Sequence, residues 1–314
     1  MRAVTIVEGE LHWSEHPDPI PGPGQVVVAV TAAGVNGADM LQRKGFYPAP
    51  PGSPADIPGL EFSGTVLVNG DGSRRFAVGD RVMAICGGGG QAEQVVVPES
   101  ALLPVPEGID LVHAGGFPEV FSTAQDALFT QARLGGGDRV LISGAAGGVG
   151  TAAVQLARSA GAHVVATVRN QAFHGEVAAL GADQVILPDQ VADCGPYDVS
   201  LELIGGSGVE TVLPHLALGA RIVVIGVGGG ARAEVDLLSL MGARATIGGS
   251  TLRGRSTEDK AAVARLVEGL ALGLLAEREV TVPVAATFPM DKATAAYGRF
   301  AAGGKLGKII LVNR

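Results

Sequence analysis

Three closely spaced glycines, Gly147, Gly148 and Gly150, lie between an apolar run (Arg139–Ile142) and a helical stretch expected to open near Thr151. Glycine lets a backbone come close to an anion, and a helix N-terminus aims free N–H groups and a dipole at it. The segment Gly137–Arg158 therefore reads as a dinucleotide loop, with Ala146, Gly147, Gly148 and Val149 against a pyrophosphate. Ala145 stands where the strict glycine fingerprint has its first glycine, so the surroundings must decide. Sites for NAD place Asp or Glu about 20 residues past the glycines, on the ribose hydroxyls. Here that region reads Thr167-Val168-Arg169-Asn170, without an acid. A guanidinium grips a phosphate with two parallel charge-assisted hydrogen bonds, so Arg169, with Asn170 beside it, points to NADPH. The plain alternative for Arg169 is a solvated surface charge. Gly226, Val227 and Gly228 open a second glycine run (Gly226–Gly230) after another apolar stretch, where backbone can approach a nicotinamide ring or ribose. A simple glycine loop is the alternative there.

These positions need a scaffold. Apolar runs at 139–142, 163–167, 184–187, 198–203, 221–227 and 245–248 are separated by helical stretches at 172–180, 209–217 and 234–240. Such alternation predicts α/β architecture, a doubly wound parallel sheet. Before about Phe117 the pattern changes to short β-rich runs (Val26–Thr31, Ser63–Val68, Arg81–Ile85, Gln94–Val97) between Pro- and Gly-rich turns. That is the pattern of a compact, partly open β barrel. Thr257–Ala276 reads as an amphipathic helix with Thr257 as N-cap, and the tail runs 280–283, 285–289 and 308–312 are β-like again.

With 314 residues the chain has room for two cores, and 47% hydrophobic with 17% charged residues is a globular balance. A net charge of −8 argues against nucleic acid as a partner. No apolar stretch reaches a membrane span, and Met1–Ile6 runs into a strand without a secretory signal pattern. Cys86 and Cys194 are far apart, so no disulfide framework is expected and the expected setting is cytoplasmic.

Gly137, Asp138, Leu141, Ala145, Ala146, Gly147, Gly148, Gly150, Gln155 and Arg158 match a known signature at every defined position. With the blocks Gly34–Gly52 and Pro118–Ala124, they make the chain resemble the zinc-independent medium-chain dehydrogenase/reductase superfamily. The likeness is to its zeta-crystallin-like NADPH:quinone oxidoreductases, over essentially the whole length. It implies a GroES-like β-barrel substrate domain, residues 1–120 completed by 257–314, and a Rossmann domain, residues 121–256. It also implies Thr123 near the cofactor and a homodimer or homotetramer. Zinc alcohol dehydrogenases of the superfamily carry a cysteine where Asn36 stands and a histidine where Leu60 stands. They also carry a structural cysteine loop that this chain lacks between Gly90 and Gln91. Zinc requires three or four S, N or O ligands, so no metal site is expected.

By this resemblance the expected activity is hydride transfer from NADPH to a quinone. Asn36 is expected to donate a hydrogen bond to the acceptor's oxygen as charge builds there. Tyr47 is expected to stack on a flat acceptor or give its phenolic proton. The alternatives are a turn hydrogen bond for Asn36 and a half-buried wall for Tyr47, while Asp39 is read as fixing the loop. Related enzymes carry a lysine near the position of Phe173, and Lys305 or Lys308 of the tail is the candidate replacement at the 2′-phosphate. Two other functions stay open: an enal, enone or enoyl-thioester reductase, and a non-catalytic NADPH-binding protein.

Overall fold

Valine-rich runs fold as strands from the first residues onward. The chain begins with β1 (Arg2–Val7), β2 (Glu10–Glu15), β3 (Gln25–Val35), α1 (Gly37–Arg43), β4 (Glu61–Asn69) and β5 (Arg81–Ile85). It continues through β6 (Gln94–Pro98), β7 (Leu103–Pro104), α2 (Leu111–Ala114) and α3 (Pro118–Gln125). Alternation follows, broken only between β10 and β11, where a 3-10 turn (Pro188–Cys194) replaces a helix: β8 (Arg139–Ile142), α4 (Gly148–Ser159), β9 (His163–Thr167), α5 (His174–Ala179), β10 (Gln184–Ile186), β11 (Tyr197–Glu202) and α6 (Gly206–Val212). Next are β12 (Leu216–Val224), α7 (Leu237–Ala243) and β13 (Thr246–Gly249). The tail holds α8 (Thr257–Gly269), α9 (Ala271–Ala276), β14 (Val284–Pro289), α10 (Ala293–Ala301) and β15 (Lys308–Val312). This computed structural model describes residues 1–313. They form two units, Met1–Ser122 with the tail from Leu252 onward, and Thr123–Thr251.

In the first unit the sheet order is β14-β15-β3-β4-β5-β7, with β6 also on β3. β6 covers the first half of β3, pairing Gln25 with Pro98, and β15 covers the second half, pairing Ile309 with Val35. The tail thus supplies β14 and β15 to the sheet of the first unit. Its core gathers Val26, Val28, Phe62, Val82, Leu102, Tyr297, Ile309 and Leu311. Register matters more here than composition. It brings Lys308, the first residue of β15, level with Asn36, and brings Glu61, the first residue of β4, against Gly34.

In the second unit six strands are hydrogen-bonded in the order β10-β9-β8-β11-β12-β13, every pair parallel. The order reverses between β8 and β11, and in such sheets the crevice at that switch, beyond the strands' carboxyl ends, takes ligands. The expected α/β fold with a Rossmann-type sheet is the observed one.

Several limits move for local reasons. α4 starts at Gly148, not near Thr151, because Gly147 already has the extended backbone of an N-cap. The helix expected over 209–217 stops at Val212, since Pro214 tightens the next turn, and β12 begins at Leu216. Ser256, not Thr257, caps α8, its Oγ accepting from Asp259 N at 3.1 Å. The run 280–283 forms no strand; pairing with β15 begins at Val284. Among the described residues no helix is long and apolar enough to cross a membrane.

Candidate functional site

In the second unit, three loops converge at the carboxyl ends of β8, β11 and β12. The N-cap of α4 is Gly147, and no side chain caps the helix's first turn. Its leading N–H groups are therefore left for an anion, as a pyrophosphate requires. A Cβ on Gly150 would stand 2.6 Å from both Gly144 O and Ala145 Cα, so the turn closes this tightly only with glycine there. Ala145 N donates to Thr167 O at 3.1 Å and Gly144 N to Thr167 Oγ1 at 3.3 Å, tying the loop to the end of β9. Arg169 follows two residues later and is exposed, while the Asn170 carboxamide oxygen accepts from Ala172 N at 3.1 Å, capping a short 3-10 turn.

The glycine run after β12 is pinned to the loop after β11: Gly229 N donates to Ile204 O at 2.7 Å and Gly226 N to Glu202 O at 3.2 Å. Glu202, 1% exposed, was not anticipated. Its Oε1 accepts from Ile204 N at 2.5 Å and Gly205 N at 2.8 Å, which shapes that loop. Leu203 N donates to Ser143 Oγ at 2.7 Å, which ties the loop after β11 to the start of the dinucleotide turn, and Val227 and Gly228 are exposed. Thr123 is buried on α3.

The first unit holds a buried polar cluster. Lys308 Nζ donates to Asn36 Oδ1 (2.5 Å), Glu61 Oε1 (2.6 Å) and Val35 O (3.3 Å). Asn36 Nδ2 donates to the same Glu61 oxygen at 3.0 Å and more weakly to Gly34 O at 3.4 Å. Glu61 Oε2 accepts from Glu119 N at 2.9 Å. Asp39, fully buried, accepts from Asn36 N at 2.8 Å and Gly59 N at 3.1 Å. Such a network is tolerated because the charges are paired and the polar atoms satisfied. Burial nonetheless pushes the Asp39 carboxyl up to about 6. It pushes Glu119 up to about 8, the neighbouring Glu61 carboxylate adding to the effect. Cys86, whose Sγ donates to Gly59 O at 3.1 Å, is pushed by burial to about 12 and stays a thiol.

Beside this cluster, Arg253 (5% exposed) donates to Gly87 O (2.8 Å), Tyr47 O (2.7 Å) and Gln42 Oε1 (2.7 Å). Its guanidinium carbon lies 5.2 Å from the centre of the Tyr47 ring. One side chain therefore holds α1, the Tyr47 loop and the loop after β5 together, and the ring contact adds a cation–π term.

Two sequence expectations change. Lys308 is not available to a cofactor phosphate: it is 3% exposed, with its ammonium committed to Glu61 and Asn36. The Asn36 amide is turned inward at both ends, which gives it the structural hydrogen-bonding role left open as its alternative. Lys305 donates to Gly307 O at 2.9 Å and sits over the Phe300 ring. Asp39 fixes its loop, as read. Sequence reasoning missed Glu61, Glu119 and Arg253. The available signal was an acidic residue inside otherwise apolar segments, Leu60-Glu61-Phe62 and Pro118-Glu119-Val120.

A mainly antiparallel domain closed by its own tail, joined to a six-stranded parallel sheet with an uncapped glycine turn, defines an oxidoreductase architecture built around a nicotinamide dinucleotide. Residues 22–107 match the alcohol dehydrogenase GroES-like domain and residues 148–268 the zinc-binding dehydrogenase domain. The quinone oxidoreductase of Rattus norvegicus is 30% identical over 307 residues, covering 94% of this chain and 91% of that protein. A mycocerosic acid synthase-like polyketide synthase of Mycobacterium tuberculosis is 32% identical over 307 residues, covering 93% of this chain and 14% of that protein. Among solved structures, the quinone oxidoreductase of Thermus thermophilus, also determined in complex with NADPH, is 34% identical. It superposes with a TM-score of 0.86 over 99% of this chain and 100% of that one. The chain belongs to the medium-chain dehydrogenase/reductase superfamily, in its zeta-crystallin-like branch.

Proposed function

We propose that this chain is a zinc-independent, NADPH-dependent reductase whose acceptor is a quinone. Activated alkenes are the second acceptor class, favoured by the match to a polyketide synthase segment. When bound, NADPH supplies the hydride, and the protein's part is to hold it, present the acceptor and exclude water. Ala146, Gly147, Gly148, Val149 and the Gly226–Gly228 run are the proposed backbone cradle, with Thr123 beside them. Arg169 is the proposed 2′-phosphate partner, and Asn170 shapes the turn next to it. Tyr47 is the proposed acceptor contact, held by Arg253.

One observation carries the metal-free reading: the Lys308 ammonium sits 2.6 Å from Glu61 Oε1 and 2.5 Å from Asn36 Oδ1. A divalent cation seated on Glu61 would face that ammonium, and neither Asn36 nor Leu60 offers a thiolate or imidazole. Alcohol oxidation thereby loses its Lewis acid. Quinone reduction needs none, since a hydroquinone anion takes its proton from water.

The oligomer proposed is a homodimer or homotetramer joined through the second unit. Its edge strand β13 is exposed along its length, and Leu237, Leu238 and Met241 of α7 are 64%, 79% and 70% exposed. Unpaired edges and contiguous apolar surface of this kind mark association sites.

The test is nicotinamide absorbance decay in metal-free buffer, comparing NADPH with NADH, each with an ortho-quinone and with a medium-chain 2-enal. Quinone-dependent decay favouring NADPH is expected. A faster enal reaction would move the assignment to the alkene class. Saturable NADPH binding without turnover of either acceptor would leave a binding protein.

A further inference from the structure

We propose that Glu119 is the proton donor when the acceptor is an activated alkene, and that the buried Glu61–Lys308–Asn36 cluster beside it keeps it protonated. The proposal rests on the reductase reading and narrows it to a chemistry.

The cluster's geometry eliminates its other members. The Glu61 carboxylate is fully enclosed, one oxygen taken by Lys308 and Asn36 and the other by Glu119 N. The Lys308 ammonium spends its donors on Asn36, Glu61 and Val35. The Asn36 amide is bonded at both ends. Asp39 is sealed from solvent, and both its oxygens accept backbone N–H groups. Glu119 alone of these groups is partly open to solvent, and its carboxyl makes no hydrogen bond or ion pair with another described residue. Its backbone N–H, fixed on Glu61, anchors it at the first turn of α3.

The charges around it favour a held proton. Ionising Glu119 would place a second carboxylate beside Glu61 on β4 and near Asp39 on α1; Lys308 on β15 favours the ionised form, but it is already paired with Glu61. Arg253 opposes this from the segment that follows the second unit, but its fork is committed to Gly87, Tyr47 and Gln42. Lys260 on α8 and the neutral Cys86 thiol after β5 complete the surroundings. Burial and the Glu61 charge together push Glu119 up to about 8, so it carries its proton at neutral pH.

That proton is what alkene reduction lacks. Hydride addition at the β carbon of an enal, enone or enoyl thioester leaves an enolate. The Glu119 O–H bond breaks, its proton forms the new C–H bond at the α carbon, and the electron pair remains on the carboxylate. Water then reprotonates the carboxylate. A quinone takes its proton on oxygen, where solvent suffices, so the two acceptor classes should depend on Glu119 unequally.

The experiment compares wild type, Glu119→Gln, Glu119→Asp and Tyr47→Phe with an ortho-quinone and a 2-enone. NADPH titration and thermal melting verify that each variant folds. A positioned general acid contributes about 100-fold or more, so Glu119→Gln should lower the enone-to-quinone kcat ratio by about that factor. Glu119→Asp should recover part of it, and Tyr47→Phe should leave the ratio within about threefold. The enone kcat of wild type should fall as pH rises through about 8, and Glu119→Gln should abolish that limb. An unchanged ratio in a folded Glu119→Gln, or a loss confined to Tyr47→Phe, overturns the assignment to Glu119 and leaves the reductase reading standing. A wild type inert with both acceptors overturns both.

Discussion

At the scale of single residues, Gly34 shows how the cluster is held. A Cβ there would lie 2.1 Å from Glu61 Oε1 and 2.9 Å from Lys308 Cε, so Gly34→Ala forces the ion pair apart. Lys308→Met removes the cation and strands Glu61 without it. Breaking a buried pair in this way costs about 3–5 kcal/mol, to be read as a lower urea midpoint. Titration adds a second expectation. The folded chain retains a proton on Glu119 that the unfolded chain releases above its ordinary value of 4.5, so stability falls as pH rises from there through about 8. Asp39 adds the same sign between 3.8 and about 6. Urea unfolding of Glu119→Gln should therefore show a flatter pH dependence than wild type between pH 6 and 8, the part that belongs to Glu119 alone. The acids stand out in their apolar segments, but their pairing was not legible in the sequence. Glu61 and Lys308 are 247 positions apart, and they meet because β15 and β4 both pair with β3.

At the scale of elements, legibility follows locality. The strand–glycine–helix segment was readable because everything it needs lies between Arg139 and Ser159, and the parallel sheet because its central runs, β8, β9 and β11, are buried by their neighbours. Helix ends were less legible, since Gly147 acts through its backbone geometry and residue type alone does not say whether Ser256 or Thr257 supplies the capping hydroxyl. The bonds of Arg253 were not legible because its three acceptors come from α1 and two separate loops. The α4 turn yields its own prediction. Gly150→Ala must displace Gly144 O or Ala145 Cα, each 2.6 Å from the added carbon, and should weaken NADPH binding in a fluorescence titration. Arg169→Ala should cut the preference for NADPH over NADH by about 10- to 100-fold, the value of one charge-assisted contact.

At the scale of the whole molecule, the apolar side of α7 and the open edge at β13 predict self-association. Leu238→Glu, at a site 79% exposed, should leave the fold intact and shift sedimentation toward the monomer. A wild type already monomeric at micromolar concentration would refute that interface. The division of the chain has a further consequence. The second unit is one continuous stretch, 123–251, whereas the first is interrupted by it and closed only by β15. Protein synthesis proceeds at about 5–20 residues per second, so Glu61 leaves the ribosome on the order of 12–50 s before the lysine that neutralises it. Over that interval a carboxylate destined for the interior must remain in water. The second unit can close around its own sheet as soon as it emerges, while the first waits, open, for the last strand of its tail.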